Sequence, residues 1–149
     1  MFQKLTISLV FIFGVFQTVN KPLCTCVFNY QKAFKHYTTV FSAKITSVKD
    51  ATNQNYNKEA ILEIIKTYKG EPETIILSTI KGCSTPLLKP NKEWLFFTSK
   101  ENGIQVLESC NPSIKLSPNK YELKNSDKLK KWQQKTDKNI KLIDSLSLL

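Results

Sequence analysis

Hydrophobic and polar positions divide the chain into three stretches of different period. Between Leu5 and Phe16 almost every residue is apolar, after one lysine at position 4. Between Thr38 and Ser109 the apolar residues come in short, partly alternating runs separated by polar turns. From Asn125 onward they recur at helical spacing, at Leu129, Trp132, Ile140, Ile143 and Leu146. Alternation with β-branched and aromatic enrichment predicts strands, here at Thr38–Val48, Ala60–Tyr68, Thr74–Ile80, Glu93–Ser99 and Ile104–Ser109. Lys69-Gly70-Glu71-Pro72 is a turn signal, and Asn102-Gly103 predicts a two-residue hairpin. The segment Asp50–Lys58 reads as a polar, exposed loop. A short helix is expected between Phe28 and Tyr37, with Ala33 and Phe34 facing inward. The C-terminal period predicts a helix at about 126–147 with Ser126 as its N-cap, laying Trp132 and Ile143 on the strands. Trp94 and Trp132 are expected as core aromatics. Five strands with polar turns and one flanking helix predict an all-β fold, a small five-stranded antiparallel barrel.

The first stretch changes the picture of where the protein works. One positive charge and then a dozen mostly apolar residues fit a secretory signal peptide, and the run is short of the roughly 20 residues of a membrane span. We assign residues 1–20 to that leader. Cleavage is placed no later than 23, because Lys21-Pro22-Leu23 lacks the small residues that would fix it. The expected location is secreted, extracellular or periplasmic. The rest, 24–149, reads as one domain, with the barrel at about 24–112.

Charge adds less. The formal net charge is +10, and all 22 basic residues are lysines. Sequence-specific nucleic-acid recognition favours the planar arginine fork, so no such partner is expected. Lys128, Lys131, Lys135 and Lys138 share one side of the expected helix and form a basic patch suited to acidic polysaccharide or an acidic protein. The sequence carries no phosphate loop, no His-Glu-x-x-His and no nucleophile with a histidine partner, His36 being the single histidine. A non-enzyme without a cofactor, and a monomer, are the expectations.

Four cysteines remain after the leader: Cys24, Cys26, Cys83 and Cys110. An even count in a small exported domain reads as a disulfide framework. A bridge across one residue would strain its geometry, which disfavours joining Cys24 to Cys26 and leaves two pairings open. A zinc site or a redox centre would want a Cys-x-x-Cys, and none is present.

The ordered landmarks resemble a known family. Cys24-Thr25-Cys26-Val27 follows a leader and precedes Ala33-Phe34. Tyr68-Lys69-Gly70 and Cys83 come next, then Glu93-Trp94-Leu95-Phe96, Gly103 and Cys110. This series resembles the tissue inhibitors of metalloproteinases and the wider netrin-like group, across residues 24 to 110. The resemblance implies an OB-like Greek-key barrel and the pairing Cys24–Cys83 with Cys26–Cys110. It also implies an inhibitor of zinc metalloproteases in which Cys24, once N-terminal, chelates the protease zinc through its amine and carbonyl. Thr25 would then enter the specificity pocket, and Val27, Ile80, Lys81 and Gly82 would flank the contact.

Overall fold

A computed structural model of the chain describes residues 28–52, 54–79, 88–108 and 110–149. The expected leader and the segments holding Cys24, Cys26 and Cys83 lie outside the described residues. The order is α1 (Tyr30–His36), β1 (Thr39–Asp50), β2 (Tyr56–Lys69), β3 (Ile75–Thr79), β4 (Glu93–Glu101), β5 (Ile104–Leu107), β6 (Ile114–Lys115), α2 (Lys120–Leu123) and α3 (Ser126–Ser147).

The first five strands pair in the order β1-β2-β3-β5-β4, and β4 returns to pair with β1, so the sheet closes into a barrel. The architecture is the expected OB-like barrel with a C-terminal helix. One seam corrects the expectation of an all-antiparallel barrel, because β3 and β5 run parallel. Parity explains it: directions cannot alternate around a closed ring of five strands, so one neighbouring pair must run the same way.

The strands are staggered. Starting from Thr39, which faces Thr98, one steps to Ser99 facing Val106, then to Leu77, to Glu59, and back to β1 at Lys49. One circuit thus climbs nearly the whole of β1, as the shear of a tilted barrel requires. The stagger brings the start of β1 level with the C-terminal ends of β5 and β3.

Each stretch of Trp94–Thr98 is buried, on both faces of β4. Trp94 and Phe96 point inward with Phe41, Ile45 and Leu107. Leu95 and Phe97 point outward and are covered by Tyr37, Ile114 and Ile143. A strand covered on both faces reads as a continuous apolar run instead of an alternating one. Asn102 and Gly103 both have positive φ (52° and 80°) between paired Glu101 and Ile104, the expected tight hairpin.

Two local expectations are corrected. The segment read as an exposed loop gives up its end to β2, where Tyr56 is buried and its hydroxyl lies 3.3 Å from Glu101 Oε2. Its asparagine-rich neighbours hid a strand start whose side chain serves a small outer cluster with Leu77 and Val106. The cap of α3 is Asn125, not Ser126: Asn125 is extended and its side chain accepts the Lys128 N–H at 3.0 Å. Ser126 is already the first helical residue.

Candidate partner-binding surfaces

Two surfaces flank α1, and the way α1 is held decides both. The helix has seven residues, too few to be stable alone. Asn29 caps its start by accepting the Lys32 N–H at 3.0 Å. Its other end is closed from outside the helix. Lys69, the last residue of β2, donates from its ammonium to the carbonyls of Phe34 (2.7 Å), Lys35 (3.2 Å) and Tyr37 (2.6 Å). The same ammonium sits 5.6 Å from the Phe34 ring centroid. A cation at a helix C-terminus meets carbonyls that lack partners within the helix and the negative end of the dipole.

The next residue completes this clamp. Gly70 has φ +68°, and a Cβ there would fall inside contact distance of the Thr38 carbonyl oxygen. Only glycine gives both the left-handed backbone and the close approach to the α1–β1 junction. The Tyr68-Lys69-Gly70 landmark therefore has a physical role: it fixes the helix that follows the N-terminal cysteines.

On one side of α1 runs an open groove of about 690 Å³, lined by Phe28, Asn29, Lys32, Ala33, His36, Tyr37, Cys110 and Pro112. Cys110 is exposed and carries a positive φ of 54°. The following turn is fixed by Asn111, which is buried and donates to the Phe97 carbonyl while its oxygen accepts the Ser113 N–H at 2.9 Å. Of the residues expected to meet a partner at this end, Cys24, Thr25, Cys26, Val27, Ile80, Lys81, Gly82 and Cys83 lie outside the described residues. The attachments of these segments are described: Phe28 lines the groove beside Cys110, and β3 ends next to β5.

On the other side of α1 lies a cleft of about 270 Å³ between α1, β6, α2 and α3. Tyr30, Ile114 and Trp132 supply apolar wall, and Lys115, Lys135, Thr136 and Asn139 supply polar groups. Burial raises the Tyr30 phenol above its usual pKa, so its hydroxyl stays protonated. Trp132 is half-buried in this wall and outside the core clusters, unlike Trp94, which is in the core as expected. Sequence reading missed this cleft. The available signal was Trp132, Lys135, Thr136 and Asn139, a mostly polar row at the spacing of one helix face.

The lysine stripe is not one surface. Lys128 is half-buried, its ammonium 3.6 Å from the Tyr121 ring centroid. Lys131, Lys135 and Lys138 are exposed. Lys135 lines the cleft, whereas Lys138 lines a separate shallow groove with Gln134, Asp137 and Lys141. Among the described residues no cluster of three or more His, Cys, Asp or Glu side chains could hold a metal ion.

The chain matches no protein-family model and no curated protein. Among solved structures it is similar to the solution NMR structure of an OB domain from Methanosarcina mazei, at 18% identity and a TM-score of 0.34. That match covers 55% of this chain and 75% of the other.

Proposed function

We propose that this is an exported netrin-like barrel protein that presents its N-terminal segment, bolted to one end of the barrel, as an inhibitor of a zinc metalloprotease. The observation that carries the reading is the groove lined by both Phe28 and the exposed Cys110, where a disulfide from Cys110 would hold the N-terminal segment. Cys26 stands two residues before Phe28. At up to about 3.6 Å per residue it lies no more than ~7 Å from Phe28, which lines the same groove as Cys110. Cys24 then pairs with Cys83, four residues beyond the end of β3, whose exit lies beside that of β5. Two such bridges close long loops and stiffen the segment, so little ordering entropy is lost on binding.

In this reading Cys24 is the first residue of the mature chain. Its α-amine and carbonyl oxygen take up the open position on the target's catalytic zinc, where the attacking water would sit. Thr25 fills the adjoining pocket, with Val27 and Ile80 to Gly82 beside it. The test is N-terminal sequencing of the secreted protein, with inhibition of a zinc protease measured with and without one alanine added before Cys24. The reading predicts a start at Cys24 and inhibition abolished by the extra residue, because an amide nitrogen does not chelate zinc readily at neutral pH. A start upstream of Cys24, or undiminished inhibition by the extended protein, would refute it.

A second reading has its own observation, the exposed lysines of α3. In it the protein is an extracellular binding module for an acidic partner, and heparin retention should fall when Lys131, Lys135 and Lys138 become Glu.

A further inference from the structure

The cleft between α1, β6, α2 and α3 is unusual in which of its polar groups are spoken for. Asn119 and Glu122 bind each other's backbone in a capping box at the start of α2. The Ser113 hydroxyl accepts the Phe97 N–H at 3.3 Å and donates to Asn111. The Tyr30 hydroxyl, the Trp132 indole N–H, the Asn139 amide and the ammonium groups of Lys115 and Lys135 have no hydrogen-bond or ion-pair partner among the described residues. The groups left over are thus mainly donors, two of them cationic. The carboxylate in the wall is already committed. These donors line one cleft, Lys135 exposed and the others half-buried, and are open to acceptors on a ligand.

Shape narrows the ligand. The space is slightly below the roughly 300–1,000 Å³ of drug-sized sites, so it takes one ring-sized group. Tyr30, Trp132 and Ile114 supply its apolar lining. A pyranose offers the matching combination of C–H faces and equatorial oxygens, and a carboxylate or sulfate on it would meet Lys115 and Lys135. Lys131 and Lys138 stand three or four residues away along α3, about 5 Å of helix rise to each side of Lys135. Both lie outside the cleft, so they can add only a weaker, longer-range attraction for the rest of a chain.

We propose that this cleft is the binding site for one acidic sugar unit of an anionic polysaccharide. The inference deepens the second reading above and does not depend on the amine of Cys24.

The test uses the mature, disulfide-bonded protein labelled with ¹⁵N and titrated with a sulfated, uronate-containing disaccharide. Neutral maltose and a Glu-rich peptide serve as comparison probes. Amide shifts should concentrate at Tyr30, Ser113, Thr136 and Asn139, with maltose binding at least about tenfold more weakly, because charge-assisted bonds carry the affinity. Lys115→Gln with Lys135→Gln should weaken the disaccharide about tenfold or more, and Lys131→Gln with Lys138→Gln only about two- to threefold. An alanine added before Cys24 should leave sugar binding unchanged whatever it does to protease inhibition. Shifts outside the cleft, maltose binding as tightly, equal losses from the two lysine pairs, or tighter binding of the acidic peptide would each overturn the proposal.

Discussion

The two long-range supports of the barrel's outer face, α1 and α3, are held by opposite means. The 22 residues of α3 carry their own instructions: an asparagine cap, a fully buried Ile143 and a half-buried Leu146 against the β1–β4 face. The seven residues of α1 bury none of their side chains fully. Their place is set by Lys69 and Gly70, more than thirty residues away in sequence. A long amphipathic helix gains its position from packing, whereas a short one borrows it from a polar clamp. The borrowed helix is the one that leads into the N-terminal cysteines. Precision at that end therefore depends on β2.

Substitutions should separate the two kinds of support. The largest loss is expected from Ile143→Ala, which empties a packed site between α3 and the barrel. Global stability should fall by about 2–5 kcal/mol in urea denaturation. Gly70→Ala should cost about 3 kcal/mol, combining a left-handed backbone with a clash against Thr38. Gly103→Ala, with φ +80° and nothing within 4 Å, carries the strain without the clash and should cost only about 1 kcal/mol. Equal effects at the two glycines would break the clamp argument.

Lys69→Met keeps the aliphatic stem and removes the donor. It should lower stability by about 1–2 kcal/mol and speed amide exchange in α1 while leaving α3 protected. Exchange that rises equally in both helices would mean that Lys69 is not specific to α1. The smallest effect distinguishes the caps: Asn125→Ala should cost about 1 kcal/mol of stability, and Ser126→Ala within about 0.5 kcal/mol of nothing.

The contrast also explains what could be read from sequence. The strands at Glu93–Glu101 and Ile104–Leu107, their Asn-Gly turn and the bounds of α3 follow from local period and turn chemistry. The parallel β3–β5 seam follows from closing an odd ring, which no single segment encodes. Tyr56 was hidden because its burial comes from a small cluster outside the barrel. Lys69 looked like a turn residue because its three acceptors lie at the end of a helix distant in the chain. Trp132 fits a helical period either as core or as cleft wall. Only the packing of α1 and β6 against α3 decides between them.

Whether the N-terminal segment is bolted beside β5 is tested most directly by peptide mapping of the unreduced secreted protein. The expected result is one peptide pair joining Cys26 to Cys110 and another joining Cys24 to Cys83. A pair joining Cys110 to Cys83 would contradict it, because the segment before α1 would then be untied from the barrel.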